Sequence, residues 1–361
     1  MKKLCCGAAF VFCLLFQSRA FTINVTYDSS VTNLTNAVQV QTAFGFAAQT
    51  FQNLYTNAIT VNIAVYWGAT GPFSGGIGLG ASSFSLSSST YATVRNALTS
   101  HRSSVADTNS VASLPGSDPT GSGSQWWVPR AEIKVLGLSG ASANDTNRDG
   151  SVGFTSDVNY TFDPTNRAVS GKFDFIGVAE HEIAEVLGRC TLDLGANGYV
   201  PYDLFRFTNS AARCFDPNAT NVYFSTDNGL TPLKYFYTNS NFGDIQDWQS
   251  STPPDSFDAF VTSGKFLVLS SADITSLDVL GYNSPGITSP RLAGSRLTNG
   301  TFRLTLTNLA ATTFTIEAST NLAISQWTNL GTATEFSPGQ YQFTDSQATT
   351  NKLRFYRARS P

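Results

Sequence analysis

The chain has 361 residues, of which 41% are hydrophobic and only 13% charged, and its formal net charge at pH 7 is −3. A mildly acidic chain without a basic run argues against nucleic acid or an anionic membrane as its partner. The length exceeds what one hydrophobic core usually serves, so two domains are expected.

The first twenty residues predict export. Two lysines precede an apolar run from Leu4 to Phe16, which is too short to span a bilayer, and the small residue Ala20 follows. We therefore expect residues 1–20 to be a signal peptide and the mature protein to be secreted, extracellular or periplasmic, without a membrane span. Its removal takes away three of the 22 basic residues and none of the 25 acidic ones, which leaves a net charge of −6.

The mature chain keeps two of the five cysteines, Cys190 and Cys214. Oxidising conditions outside the cytoplasm favour pairing of such residues. We expect a disulfide between them, although the sequence leaves their separation open.

The first part of the mature chain mixes helices and strands. Apolar residues at helical spacing predict an amphipathic helix over 36–55, and alternating apolar residues predict a strand over 58–67. The glycine-rich stretch 71–80 lacks the Lys-Ser/Thr ending of a phosphate loop and is interpreted as a turn. Further on, the pattern predicts a helix over 91–100, a long polar loop over 103–124 and a helix over 128–137.

The pattern changes in a cluster of Pro, Gly and Ser residues within 281–295. Beyond it, five short alternating runs separated by polar turns indicate a β-sandwich. The predicted organisation is an α+β domain over 21–283, a linker over 284–294 and a small all-β domain over 295–361.

The segment FIGVAEHEIAEVLGRC, residues 175–190, carries the candidate chemistry. Residues i and i+4 lie about 5–6 Å apart on one helix face, so His181 and Glu185 can reach one metal ion with Glu182 beside it. This arrangement matches the HExxH motif of zinc peptidases except that Glu185 replaces the second histidine. Zinc accepts carboxylate oxygen, but the added negative charge makes the ion a weaker Lewis acid.

A third protein ligand is expected to be a carboxylate. The only other histidine of the mature chain, His101, lies in a polar segment and is interpreted as a surface residue. Asp203, in the apolar stretch YVPYDLFRF, is preferred over Asp193, because a buried carboxylate needs a partner. That partner is either a metal or the nearby Arg206, and the sequence does not decide between them.

Residues 145–152, DTNRDGSV, resemble the beginning of a calcium-binding loop. Oxygen-bearing side chains stand at alternate positions of such a loop, followed by an acid at position 12; that position holds Ser156 here. The segment is therefore either a loop stabilised by calcium or an ordinary turn before a strand. The candidate ligands are Asp145, Asn147, Asp149 and Ser151.

Two further groups have a functional and a structural interpretation. Tyr199 and Tyr202 could donate a hydrogen bond to an oxyanion, but tyrosines beside a proline more often serve packing. Asp244, Asp247 and Trp248 are predicted to form a structural turn.

Five motifs in this order resemble the exported bacterial metalloprotease family associated with PEP-CTERM sorting signals. They are HEIAEVLGR (181–189), YDLFRF (202–207), YFSTDNG (223–229), GDIQDW (243–248) and ITSLDVLGY (274–282). The resemblance covers roughly Phe21 to Tyr282 and implies a zincin-like metallopeptidase domain that uses zinc. His181 matches the first zinc ligand, Glu182 the general base and Glu185 the second ligand. More weakly, 295–361 resembles immunoglobulin-like or fibronectin-like domains.

Two functions are compatible with these observations. The first is an exported zinc metallopeptidase that acts on proteins or peptides, with zinc on His181, Glu185 and Asp203 and with Glu182 as general base. The alternative is a peptidase-like protein that has lost turnover and serves as a binding or surface protein. In either case the C-terminal domain is expected to mediate attachment or contact at a cell surface or matrix.

Overall fold

The computed structural model describes residues 21–361 except 122, 193–197, 240–242, 285–290, 308–313, 322–325, 338–339, 351–352 and 360–361. The predicted signal peptide lies outside the described residues. Helices in the described part are α1 (Ser29–Thr32), α2 (Ala37–Leu54), α3 (Tyr91–His101), α4 (Val105–Ala112), α5 (Arg130–Val135), α6 (Phe175–Leu187) and α7 (Ser271–Asp278). None of these helices has the length and apolar character that crossing a membrane requires.

The strands belong to several small sheets, so the protein is of mixed α/β composition, compatible with the α+β class. In the first part of the chain they are β1 (Thr22–Tyr27), β2 (Thr60–Trp67), β3 (Gly80–Phe84), β4 (Leu86–Ser89), β5 (Trp126–Pro129), β6 (Gly150–Phe154), β7 (Tyr160–Thr161), β8 (Phe173–Asp174), β9 (Arg206–Asn209), β10 (Ala212–Arg213), β11 (Tyr223–Phe224) and β12 (Lys234–Tyr235). The last part contains β13 (Arg291–Arg296), β14 (Phe302–Thr307), β15 (Thr315–Ser319), β16 (Thr328–Thr332), β17 (Thr334–Ser337), β18 (Gln340–Asp345) and β19 (Phe355–Arg359).

The sheet that supports the candidate site has the order β1-β2-β6-β3. Strands β1, β2 and β6 are parallel, and β3 runs antiparallel to β6 at one edge. The buried side chains Val61, Ile63 and Val65 of β2 belong to one large core that also receives the apolar face of α2. The expected helix over 36–55 and strand over 58–67 are thus confirmed to within two residues.

Helix α6 packs against this sheet and against α2, and it is buried along its whole length except at His181. It begins at Asp174, whose carboxylate accepts a hydrogen bond from the Gly177 amide and pairs with the buried Arg167. It ends at Gly188, whose φ of 125° lies in the region that favours glycine. The chain therefore turns away directly after the turn that carries Glu185.

The polar segment 103–124 was expected to be a loop, and this prediction is wrong for its first half. The Asp107 amide donates to Ser104 Oγ at 2.9 Å, and the Ser103 amide donates to the Asp107 carboxylate at 2.9 Å. These bonds satisfy the free amides at the start of α4. Capping therefore outweighs the polar composition of the segment.

A second hydrophobic cluster lies in the last part of the chain, between residues 292 and 358. It accompanies two antiparallel sheets with the orders β13-β14-β18-β17 and β16-β15-β19. Strand β13 begins at Arg291, so the last four residues of the segment 284–294, which was expected to be a linker, belong to a strand. Leu292 packs on the cluster and draws this stretch into the sheet.

The expected disulfide is absent, because Cys190 and Cys214 are both free thiols. Cys190 directly follows the end of α6 and is buried, and burial together with the neighbouring Glu132 carboxyl raises its thiol pKa. Cys214 Sγ lies 3.5 Å from the carbonyl oxygen of Asp216. The two thiols are thus buried separately and do not form a bond with each other.

Candidate metal centre

Three side chains from two separate segments place a potential metal ligand around one point. His181 Nε2 lies 3.5 Å from Glu185 Oε1 and 3.2 Å from Asp247 Oδ1. All three ligand atoms lie within 4.8 Å of one another, and within the described residues no other group of three His, Cys, Asp or Glu side chains does so. Helix α6 supplies two of the ligands and the GDIQDW segment supplies the third.

Two of the three distances among these atoms, those from His181 Nε2, can be compared with the spacing of ligands around a tetrahedral ion. Nitrogen and oxygen ligands about 2.0–2.2 Å from a tetrahedral zinc ion lie about 3.3–3.6 Å from one another. The two distances from His181 Nε2, 3.2 and 3.5 Å, are close to this range. One imidazole and two carboxylates also form a ligand set that zinc accepts.

The orientation of His181 independently indicates a cation at this point. Its Nδ1 lies 2.9 Å from the carbonyl oxygen of Ser256, which can only accept a hydrogen bond, so Nδ1 carries the proton. Nε2 then faces two carboxylates, and a bare lone pair there would be repelled. Burial lowers the pKa of His181, but the charge and hydrogen bond of Asp247 and the hydrogen bond of Glu185 together raise it well above its ordinary value. Either a second proton or a metal ion satisfies this arrangement.

Glu185 is held as an ionised ligand. Ser82 Oγ of β3 donates to its Oε2 at 2.8 Å, and Gln246 Nε2 donates to its Oε1 at 2.9 Å. Burial raises the pKa of Glu185, but the hydrogen bond and charge of His181 and the charge of Arg189 lower it to about 2. Hydrogen bonds of this kind to a ligating carboxylate fix its orientation.

A fully buried arginine adjoins both carboxylates. Arg189 Nη1 donates to Asp247 Oδ1 at 2.9 Å and to the Gln246 carbonyl at 3.1 Å, while Nη2 lies 3.5 Å from Glu185 Oε1. Its guanidinium carbon lies 4.3 Å above the Phe257 ring. Arg189 therefore connects the end of α6 to the segment that supplies Asp247.

Glu182 occupies the position of a catalytic base beside the three ligands. Its side chain is buried, and its Oε2 has no hydrogen-bond partner. Burial and the neighbouring Glu185 raise its pKa well above the ordinary value of a glutamate. A partnerless buried carboxylate that faces a cleft is available for proton exchange with a bound molecule.

The cleft in front of these residues has a volume of about 360 Å³. His181, Glu182 and Asp247 line its polar side. Apolar side chains form much of the remainder, and Phe260 at the edge is half exposed. The size and the mixed lining suit part of an extended chain.

The structure does not bring Asp203 into this group of potential ligands, in which Asp247 stands as the third residue. Asp203 lies in a 3₁₀ turn, Pro201–Phe205, where its carboxylate accepts from the Val200 amide at 3.0 Å and pairs with Arg206 at 3.4 Å. The salt-bridge interpretation of this residue therefore holds. Asp193 lies outside the described residues. His101 ends α3, where its Nδ1 lies 2.9 Å from the Ala97 carbonyl.

Asp247 had been interpreted as part of a structural turn, and the turn explains how it reaches the site. Trp248 is fully buried and donates from Nε1 to Asp273 at 2.6 Å. This anchor fixes the backbone, so that the preceding carboxylate meets His181. A tryptophan next to an acidic residue was the only sequence signal for this ligand. Asp244 lines the cleft but does not belong to the three-residue group.

The two tyrosines considered for an oxyanion role are packing residues. Tyr202 is fully buried against Phe224 and Phe236, and Tyr199 packs on Trp126. Neither lines the cleft.

In the candidate calcium loop 145–152, protein cations contact both carboxylates, and its residues do not belong to the group of potential metal ligands found among the described residues. Arg130 Nη2 donates to both oxygens of Asp145 at 2.7 Å, and Lys134 Nζ binds Asp149 at 2.6 Å. The loop is the turn that leads into β6. Of the other two candidate ligands, Asn147 donates its backbone N–H to Asp145, and Ser151 lies within β6, where its Oγ accepts from Arg148 at 3.4 Å.

Comparison of the chain with family models, with curated proteins and with solved structures gave no match.

Proposed function

We propose that the protein is an exported, zinc-dependent peptidase whose metal is held by His181, Glu185 and Asp247. The observation that carries the proposal is the convergence of one imidazole nitrogen and two carboxylate oxygens within 4.8 Å of one another. Beside them stands Glu182, whose Oε2 has no hydrogen-bond partner among the described residues. Glu182 is not needed to bind a metal, so its presence in the cleft supports catalysis rather than metal storage.

Each residue has a defined role in peptide hydrolysis. When bound, zinc supplies a Lewis acid that polarises a carbonyl group and lowers the pKa of water. The Glu182 carboxylate, which lines the cleft, would accept the proton of the attacking water and later deliver it to the leaving amine. The Ser256 carbonyl keeps His181 in the tautomer whose Nε2 faces the site. Ser82 and Gln246 hold the Glu185 carboxylate in place.

The surroundings of the site favour an extended peptide as substrate. Strand β3 has β6 as its single neighbour in the sheet, and its Gly80 lines the cleft beside Glu182. The open edge of a strand can hydrogen-bond to an extended chain, while pockets receive alternate side chains. Protein or peptide substrates fit this arrangement. We assign the C-terminal β-sandwich, which would be immunoglobulin-like or fibronectin-like, to surface contact.

A second candidate function is binding without turnover. It is favoured by Arg189, whose guanidinium already satisfies Asp247 and adjoins Glu185. In that case the imidazolium of His181 and the Arg189 cation would balance both carboxylates, and no metal would be needed.

The proposal is tested by hydrolysis of a mixed peptide library in the presence of zinc. Glu182→Gln keeps the shape of the side chain but removes the proton acceptor, so we expect hydrolysis to fall by about 10²–10⁴-fold with zinc content unchanged. The matched variant His101→Ala removes the other histidine of the mature chain and should hydrolyse like the unmodified protein. If the protein binds zinc and cleaves no peptide of the library, the binding function replaces the peptidase. If cleavage survives Glu182→Gln, the assigned mechanism is wrong.

A further inference from the structure

Two of the three residues around the candidate metal are carboxylates, and one buried cation contacts them. Glu185 and Asp247 together bring two negative charges, whereas a histidine at position 185 would bring none of its own. Arg189 is fully buried and donates to Asp247 at 2.9 Å, with its second nitrogen 3.5 Å from Glu185. Its positive charge offsets one of the two negative charges.

The contacts of Arg189 are specific to the two ligands. In the described structure its guanidinium hydrogen bonds go to Asp247, to the Gln246 carbonyl and to Glu185, and its face stacks on Phe257. Gln246 in turn donates to Glu185 Oε1. One cation therefore connects both ligand carboxylates through direct contacts.

Arg189 contacts the carboxylate oxygens themselves, so it affects their charge as well as their orientation. Hydrogen bonds and positive charge on a ligating carboxylate reduce the electron density that it donates to a metal. A carboxylate that replaces imidazole weakens the Lewis acidity of zinc, and an arginine hydrogen-bonded to the ligands opposes that change.

We propose that Arg189 is the positioning and charge-compensating residue that makes a His/Glu/Asp site electrostatically equivalent to one with two histidines and one carboxylate. With Arg189 included, the group has one net negative charge, which is the charge that two neutral imidazoles and one carboxylate would have. Glu185 and Arg189 thus function as a pair: loss of Glu185 alone leaves the guanidinium uncompensated beside the site, and loss of Arg189 alone leaves two carboxylates whose charge weakens the Lewis acidity of a bound ion. This inference rests on the metal site of the proposed function but not on peptide cleavage.

The pair is tested by the zinc affinity of four full-length proteins: the unmodified chain, Glu185→His, Arg189→Met and the double variant. We expect Glu185→His to bind zinc at least about tenfold more weakly, because an uncompensated guanidinium then adjoins the site. Adding Arg189→Met should recover most of that loss. Competition with a chelator gives the affinities, and the absorption spectrum of bound Co²⁺ reports whether coordination stays tetrahedral.

Arg189→Lys separates charge from structure and supplies the control. The double variant Glu185→His/Arg189→Lys keeps a positive charge at position 189. If charge is what matters, this double variant should bind zinc as weakly as Glu185→His alone. If Arg189→Met weakens zinc binding by the same factor in both backgrounds, Arg189 is only a structural tether and the inference is wrong. If the unmodified chain binds zinc but cleaves no peptide, the peptidase proposal fails while the inference stands. If it binds no zinc, both fail.

Discussion

At the scale of single residues, the site depends on the contacts that hold the Asp247 side chain beside helix α6. Trp248 is buried against Asp273, and Arg189 holds the Asp247 carboxylate from the other side. The ligand that comes from outside the helix is therefore fixed at two points. A change at Asp247 should therefore affect both the metal site and the buried ion pair with Arg189.

We expect Asp247→Asn to lower zinc content sharply, because a neutral amide oxygen replaces an ionised ligand. The matched substitution Asp203→Asn, in a carboxylate that pairs with Arg206 instead, should leave zinc content unchanged. Metal analysis of both purified variants checks this. Loss of zinc from Asp203→Asn, but not from Asp247→Asn, would restore Asp203 as the third ligand.

Gly80 gives a second test at this scale, because the space beside it is filled by Glu182, the proposed base. A Cβ atom at Gly80 would lie 2.7 Å from Glu182 Cγ, so Gly80→Ala has to displace Glu182. We expect peptide hydrolysis to fall at least about tenfold while zinc content is retained. At Gly78, two residues earlier, a Cβ would meet only the Gly80 carbonyl at 3.8 Å. Equal loss in Gly78→Ala would contradict the role given to Gly80.

At the scale of elements, helix α5 contains a buried acid that no partner stabilises. Glu132 has no exposed surface, and neither of its carboxylate oxygens has a hydrogen-bond partner. Burial raises its pKa well above the ordinary value. Glu132 therefore stays protonated in the folded chain at pH values above about 4.5, where the unfolded chain has released this proton. The free energy of unfolding consequently decreases as the pH rises from about 4.5 toward the pKa of Glu132 in the folded chain.

We expect Glu132→Met to raise the free energy of unfolding by about 1–3 kcal/mol at pH 8, and by less at pH 4. At pH 4 the unfolded state also holds most of its proton, so the linkage contribution is small there. Urea denaturation at the two pH values measures the difference. A gain that does not change with pH would show that Glu132 ionises freely in the folded protein.

The sequence predicted correctly those elements whose pattern is contained within a short stretch of the chain. The spacing of His181 and Glu185 on α6 and the apolar face of α2 are of this kind. The approach of Asp247 was not predictable, because it depends on contacts between segments about 60 residues apart. The ion pairs of the loop 145–152 were unpredictable for a related reason: its carboxylates pair with Arg130 and Lys134, one turn apart on α5, which lie outside the loop.

At the scale of the whole molecule, the described residues form two separate hydrophobic clusters. One contains the candidate metal centre, and the other lies among the strands that follow residue 290. The clusters share no residue, so the two parts are expected to respond separately to changes that act on one of them.

Calorimetry should therefore show two unfolding transitions. Zinc at about one hundred times its dissociation constant should stabilise only the part with the metal centre, by about 2.7 kcal/mol. Leu306→Ala, in the second cluster, should destabilise only the other part, by about 2–5 kcal/mol. A single transition that moves with both changes would show that the two clusters unfold together.

The most direct test of the central claim is the metal content of the purified mature protein, measured by plasma mass spectrometry beside His181→Ala and His101→Ala. The account predicts about one zinc ion per chain in the mature protein and in His101→Ala, and none in His181→Ala. Absence of zinc from a folded mature protein to which zinc has been supplied would contradict it. The carboxylates of Glu185 and Asp247 would then be neutralised by Arg189 and the His181 imidazolium alone.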